Sequence, residues 1–204
     1  MQLSKINWFG VAGGALTLIV IVVSLYYPWW QLTIGDNLMK VNASPMNTNF
    51  GLLGTQFTIP VIYALNLGSI LTFLCSGIIM LVYSVIPTKP YAKDLLGFAW
   101  KKPMYAVIFS VIGLAITIVI LQTTVGLNVP LTGTGQIILP SAFTMGVNIS
   151  IAVTSAFQWP VILAIAAAAL CICARIYHRK FSANPKQETI VMQPTQLVAQ
   201  TQAI

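Results

Sequence analysis

Charged side chains are scarce in this chain. Only three of its 204 residues are acidic and ten are basic, 6% in total, whereas about a quarter of the residues in soluble domains are charged. Hydrophobic residues make up 57% of the chain, and its mean hydropathy is +0.86. This composition excludes an ordinary soluble domain and predicts a protein whose main partner is a lipid bilayer.

The side chains that carry catalysis or bind metal ions are also few. Asp36, Asp94 and Glu188 are far apart in the sequence, so no paired carboxylates are available for acid–base chemistry. The sole histidine, His178, has no second imidazole with which to share a metal ion. We therefore predict that the protein is not an enzyme and uses no cofactor or metal ion, and we identify no small-molecule substrate.

Cysteine is sparse, and its positions exclude disulfides between the loops. Cys75, Cys171 and Cys173 all fall within long apolar runs. Thiols in such places behave as small apolar side chains. No disulfide is therefore expected to hold the loops together.

Long apolar runs are the main feature that the sequence does have. There are four, at about residues 8–27, 60–86, 103–122 and 159–176, and ionisable residues occur only at their ends. A hydrocarbon core about 30 Å thick needs about 20 apolar residues in a helix. The sequence therefore predicts an α-helical membrane protein with four transmembrane helices.

The second half of the chain repeats the first at a shift of 100 residues. Ten apolar or small residues recur in register: Phe9, Val11, Gly13, Ala15, Thr17, Phe57, Pro60, Val61, Ile62 and Ala64 return as Phe109, Val111, Gly113, Ala115, Thr117, Phe157, Pro160, Val161, Ile162 and Ala164. We predict two parallel helix–loop–helix repeats, about residues 5–86 and 103–180. Together they form one transmembrane domain over residues 1–180.

The basic residues predict the orientation of the helices. They cluster before the first helix, between the second and third, and after the fourth: Lys5, Lys89, Lys93, Lys101, Lys102, Arg175, Arg179, Lys180 and Lys186. The other two loops, 28–59 and 123–158, hold only Lys40. The positive-inside rule then places both termini in the cytoplasm and these two loops outside. The net charge of +7 therefore orients a multi-pass protein of the cell membrane, and no nucleic-acid partner is predicted.

The two outer loops predict a small β-rich cap. Residues 31–34 and 38–41 flank a turn at 35–37, which is typical of a hairpin. In the second loop, 133–135 is predicted as a turn, with a strand over 136–139 and a further strand over 145–153 that alternates with period two. We expect the strands of both loops to pair into one sheet over the outer face. Residues 181–204, which lack helical periodicity, are predicted to form a disordered cytoplasmic tail.

Particular residues are candidates for contacts and modification. The candidate interaction surface comprises Trp29, Trp30, Val147, Ile149, Ile151 and Val153. Two sequons in the outer loops make Asn42 and Asn148 candidate glycosylation sites. Small residues that let helices approach closely are Gly10, Gly14, Gly113, Ala164 and Ala168.

The predicted architecture resembles that of claudins and related tetraspan membrane proteins. The likeness lies in four helices, two cytoplasmic termini and a β-rich first outer loop that opens with Trp29-Trp30. Gly51-Leu52-Leu53 is the nearest approach to the Gly-Leu-Trp motif of claudin-type proteins, and their cysteine pair is absent from the loop. The resemblance implies an analogous shape and an analogous role in lateral assembly or adhesion, without transferring any functional residue.

Three functions are compatible with these features. The first is a non-enzymatic structural, adhesion or assembly role through the outer β-rich loops, with other membrane proteins or further copies of the chain as partners. The second is an accessory subunit of a larger membrane complex. The third is a channel or carrier for a neutral solute, which requires polar residues from several helices along one continuous cavity.

Overall fold

A computed structural model describes residues 6–35, 38–125, 128–138 and 150–182. Five helices occur in these ranges: α1 (Trp8–Tyr26), α2 (Pro60–Val85), α3 (Ala92–Ala99), α4 (Lys101–Ile120) and α5 (Pro160–Ser182). Six strands accompany them: β1 (Trp30–Ile34), β2 (Met39–Ala43), β3 (Asn49–Leu52), β4 (Thr55–Phe57), β5 (Gly133–Ile138) and β6 (Ser150–Phe157). A single π-helical turn, Leu121–Val125, extends α4.

Four of the helices are long and apolar enough to cross a membrane, which confirms that part of the prediction. α2 and α5 begin at Pro60 and Pro160. Proline is common at the first helical position, because the backbone N–H that it lacks would have no hydrogen-bond acceptor within the helix there. α5 continues to Ser182, so the first two residues of the predicted tail belong to this helix. Residues 183–204 lie outside the described ranges.

α1 packs between α2 and α5, and small residues make this close packing possible. A Cβ atom added at Gly10 would overlap the Ser84 Oγ atom of α2, and one at Gly14 would lie 3.1 Å from the Gly77 carbonyl oxygen. A Cβ at Gly13 would lie 3.1 Å from the Cys171 backbone nitrogen of α5. The backbones of α1, α2 and α5 therefore approach as closely as glycine allows.

α4 is packed much more loosely than the other long helices. It contacts α2 and α5, but Pro103 is the one residue of α4 that is fully buried. Many of its apolar side chains are therefore exposed on the outside of the bundle.

The end of the bundle where α1 begins and α2 and α5 end is named the distal end. Asn7 ties these three helices together there, with only 2% of its surface exposed. Its side-chain oxygen accepts a hydrogen bond from Gly10 N (3.2 Å) and thereby caps α1. Its amide nitrogen donates to Tyr83 Oη of α2 (2.9 Å) and to the Ala174 carbonyl of α5 (3.0 Å). One buried side chain thus fixes the register of three helices.

At the other end of the bundle, the loops form one antiparallel sheet with strand order β4-β3-β2-β1-β6-β5. The predicted first hairpin is confirmed as β1 and β2, with Ile34 opposite Met39. The pairing of β1 with β6, where Trp30 lies opposite Phe157, joins the two loops. The small sheet expected from both loops is therefore present.

Parts of the predicted strand pattern are wrong or untested. Gly133 and Gly135 do not form a turn, because they lie within β5 and pair with Ser155 and Val153 of β6. The β3–β4 hairpin was absent from the prediction altogether. Residues 139–149, which include part of both predicted strands of the second loop, lie outside the described ranges.

Candidate functional site

The sheet has one apolar and one polar face, as strand alternation requires. The apolar face is turned toward the helices and includes the buried residues Trp30, Leu32, Ile137 and Val153. Side chains from the half of α4 nearer the sheet, among them Leu114 and Ile118, pack against this face. The sheet is therefore anchored to the bundle by its own hydrophobic surface.

The two tryptophans of the predicted interaction surface lie inside the protein. Trp29 is 1% exposed, packs among α1, α2 and α5, and donates from its indole nitrogen to Ser24 Oγ (2.8 Å). Trp30 is 5% exposed and donates to the Leu131 carbonyl (2.7 Å). Both indole N–H groups are hydrogen-bonded within the chain and both rings are buried, so the two tryptophans attach the sheet to the helices.

Burial also removes Val153 from that surface, because its side chain is fully buried beneath the sheet. Ile151 is partly exposed, and Val147 and Ile149 lie outside the described residues. For Trp29, Trp30 and Val153 the predicted interaction surface is wrong. Period-two alternation identifies an apolar face but does not say whether the chain itself or a partner covers it.

The polar face carries a ladder of amide side chains across three strands. Gln31 donates to Asn42 Oδ1 (2.9 Å), and Asn42 Nδ2 donates to Asn49 Oδ1 (2.8 Å). The Asn42 nitrogen is the atom that a glycan would modify, so glycosylation would replace one of its two hydrogens and place a sugar beside the bond to Asn49. Asn148, the other candidate, lies outside the described residues.

The sheet ends at β4, which is exposed along all three of its residues. Beyond it no further described strand pairs, so its outer backbone edge is open. The turn before it carries Leu53, which is 74% exposed and has a φ angle of 48°. Leu52 and Phe57 beside it are 49% and 50% exposed. We name this feature, Leu52 to Phe57, the β4 edge.

The conformation of Leu53 has a cost. A bulky residue with positive φ is rare, because its Cβ crowds the backbone; such strain costs of order 1–3 kcal/mol. Glycine or asparagine would relieve it at this turn position. Leu53 is therefore both strained and exposed, next to an open strand edge.

A crevice of about 790 Å³ opens between α2, α4 and the apolar face of the sheet. Its lining is mainly apolar, with Phe109 and Val111 of α4 among its walls. Gly113 also lines it, and a Cβ there would meet no atom within 4 Å. The prediction that Gly113 packs closely against another helix is therefore wrong for the described part of the chain, because Gly113 faces the crevice. By contrast, Ala164 and Ala168 are buried in α5, with 2% and 7% of their surfaces exposed.

Asn66 is a buried polar residue of the crevice, with 7% of its surface exposed. With its amide oxygen directed toward Thr48, it accepts from Thr48 N (2.8 Å) and donates to the Pro45 carbonyl (3.3 Å). The amide thus holds the loop between β2 and β3 and is not available to a solute.

Metal-binding side chains do not assemble in the part of the chain that the structure describes. There, no three residues among His, Cys, Asp and Glu come close enough to hold an ion. Cys171 is buried, whereas Cys75 and Cys173 are exposed as free thiols. The candidate sites in this region are therefore surfaces and cavities.

Comparison with known proteins assigns the chain to no family. It matches no protein-family model, and none of the curated proteins compared is significantly similar to it. Its function must therefore be inferred from its own geometry.

Proposed function

We propose that the chain crosses the cell membrane four times, with both termini in the cytoplasm and the sheet outside. The four long apolar helices support this arrangement. Among the described residues, Lys40 lies in the sheet, whereas the other cations belong to the distal end, either within α3, the start of α4 and the end of α5 or between α2 and α3: Lys89, Lys93, Lys101, Lys102, Arg175, Arg179 and Lys180. The positive-inside rule then assigns the distal end to the cytoplasm.

We further propose that the bundle arose from two parallel repeats, about residues 5–86 and 103–180. The helices that begin at Pro60 and Pro160 support this origin, because each follows a strand that ends at a matching phenylalanine, Phe57 or Phe157. The contacts between helices are also alike in the two halves: α1 contacts α2 of its own half and α5 of the other, and α4 contacts α5 of its own half and α2 of the other. The looser packing of α4 is the main difference between the halves.

Within this membrane we propose a non-enzymatic role in lateral assembly, in which two copies of the chain associate through the β4 edge. The observation that carries the proposal is the open edge of β4 beside exposed Leu52, Leu53 and Phe57. An open edge offers a row of unpaired backbone N–H and C=O groups. Water outside the membrane can bond to these groups but leaves the apolar side chains exposed, whereas another strand can pair with the groups and cover the side chains.

We propose a second copy of the chain as the partner at this edge, because β4 can pair with another β4 and no other protein is needed. Antiparallel pairing of β4 with β4 relates two chains by a two-fold axis, the commonest symmetry of protein dimers. With that axis along the membrane normal, both copies keep the same orientation in the bilayer. The outer β-rich loops thus remain the proposed contact region, and the claudin-like resemblance is compatible with such a role in lateral assembly.

Cysteine cross-linking in native membranes tests this contact. Gln56 is the central residue of β4, so in a symmetric antiparallel pair it lies opposite its own counterpart. Opposed residues have Cβ atoms about 4.5–5.5 Å apart, close enough for a disulfide after a small adjustment. With Cys75→Ser and Cys173→Ser to remove the exposed thiols, Gln56→Cys should give a disulfide-linked dimer on mild oxidation.

The control is Gln136→Cys in the same background. Gln136 is an exposed residue of β5, the strand at the opposite edge of the same sheet. The Gln136→Cys protein should therefore remain monomeric under the same oxidation. A dimer formed through Gln136 and not through Gln56 would refute the β4 contact. A disulfide between Gln56→Cys and a different protein would contradict self-association and would support the role of an accessory subunit in a larger complex.

A further inference from the structure

A second cavity lies at the distal end, far from the β4 edge. Its volume is about 900 Å³, and α3, the start of α4 and the end of α5 form its walls. We name it the distal pocket. Its cationic lining residues are Lys93, Lys101, Lys102, Arg175 and Arg179. One acidic side chain, Asp94, accompanies these five.

The charges of the distal pocket have little compensation from the described part of the chain. The other two acidic residues in the sequence, Asp36 and Glu188, fall outside the described ranges. Cations gathered from three helices repel one another, and the repulsion increases where the protein or a membrane displaces water. A mobile or bound anion is therefore needed to balance the pocket.

Two polar atoms in the walls have no hydrogen-bond partner among the residues that the structure describes. They are Trp100 Nε1 and His178 Nδ1, both buried, and both residues line the distal pocket. An indole N–H can only donate, so its partner must be an acceptor such as an anionic oxygen. Leaving a buried donor unpaired costs about 1–3 kcal/mol, which a ligand that supplies this acceptor would recover.

Aromatic rings hold two of the cations in place. The Arg175 guanidinium carbon lies 4.0 Å from the centre of the Trp100 ring, and Lys102 Nζ lies 5.0 Å from that of Phe98. Such stacking orients a charge without neutralising it. Arg175 is therefore held beside the unpaired indole nitrogen with its charge still available.

We propose that the distal pocket binds a phosphate group, supplied by the headgroup of an anionic phospholipid. The planar guanidinium offers paired donors that match phosphate oxygens, the lysines add positive charge, and the Trp100 N–H donates to one oxygen. The pocket lies where the apolar stretches of α4 and α5 begin and end, which is the level of lipid phosphates in a bilayer. This site is independent of the β4 contact.

Native mass spectrometry of the full chain tests the proposal. The protein is released from mixed micelles that contain equal amounts of phosphatidylglycerol and phosphatidylcholine, and its bound lipid is identified. Wild type should retain phosphatidylglycerol preferentially. Arg175→Gln should weaken this retention about tenfold, the effect of losing one charge-assisted hydrogen bond of about 1.5 kcal/mol.

Trp100→Phe removes the indole N–H and keeps an aromatic ring beneath Arg175. The phenyl ring is smaller than the indole that packs against the buried cluster of α2, α3 and α5, so we expect a small loss of thermal stability. In protein that remains folded, we expect a loss of phosphatidylglycerol retention similar to that of Arg175→Gln. Lys40→Gln, at the sheet end, removes the same net charge as Arg175→Gln and should leave lipid retention as in wild type. Equal retention of both lipids, or variants at 100 and 175 that bind like wild type, would overturn the proposal.

A competition arm identifies the source of the phosphate. Inorganic phosphate added at increasing concentration should not displace phosphatidylglycerol, because the lipid is also held by its apolar chains. Full displacement, with phosphate bound in its place, would support a phosphate site but overturn the lipid as its ligand.

Discussion

Gly14→Leu should destabilise the protein by about 3 kcal/mol, because overpacking a tight contact forces backbones apart. A Cβ at this position would already lie 3.1 Å from the Gly77 carbonyl and 3.0 Å from the Leu81 side chain. A leucine adds three further carbons at the same point, so α1 and α2 must separate. Unfolding by sodium dodecyl sulfate in micelles, followed by tryptophan fluorescence, measures the change.

Gly68→Leu provides the matched control. Gly68 is also in a long apolar helix, α2, but a Cβ there would meet nothing within 4 Å. This substitution should leave stability unchanged or raise it by about 1 kcal/mol, because glycine is the poorer helix former. Equal effects of the two substitutions would mean that α1 and α2 are not in close contact.

Asn7→Leu should have the second largest effect, a loss of about 2–4 kcal/mol. The substitution removes the cap of α1, worth about 1 kcal/mol, and leaves the Tyr83 hydroxyl without its partner. The Ala174 carbonyl lies inside α5 and keeps its helical hydrogen bond. One buried group left unpaired costs about 1–3 kcal/mol. The same detergent titration measures the loss, and protease cleavage near the distal end should increase.

Asn47→Leu is the comparison for Asn7→Leu. Asn47 also donates to a backbone carbonyl, that of Leu25 at 2.7 Å, but it does so at an exposed site. Water can replace the lost bond there, so the expected change is within about 1 kcal/mol. If Asn7→Leu were as mild as Asn47→Leu, Asn7 could not be the residue that joins the three helices.

The helices could be predicted because long apolar runs leave a strong signal in the sequence. A run of about 20 apolar residues has few alternatives to a helix, and α1, α2, α4 and α5 follow the predicted runs closely. The hairpin of β1 and β2 was equally predictable from alternation around Gly35. The β3–β4 hairpin was missed because Gly51 and Gly54 interrupt its apolar pattern, although Leu53-Gly54 is a two-residue turn.

The candidate site was less predictable, because it depends on what covers each apolar face. Trp29 and Trp30 were expected to contact a partner, but the helices beneath the sheet provide a nearer surface. Asn7 and Trp100 gave no periodic signal, since their roles come from contacts with residues distant in the sequence. Gly113 matched Gly13 in the repeat, yet only Gly13 has a helix close beside it.

The central claim is that the sheet and the distal end lie on opposite sides of a membrane. Single cysteines at Lys40 and Thr134, in the two loops of the sheet, and at Lys89, between α2 and α3, test it in the background without exposed thiols. With a membrane-impermeant maleimide on sealed cells, Lys40→Cys and Thr134→Cys should react at once, and Lys89→Cys only after permeabilisation. Reaction of all three in sealed cells would contradict the account.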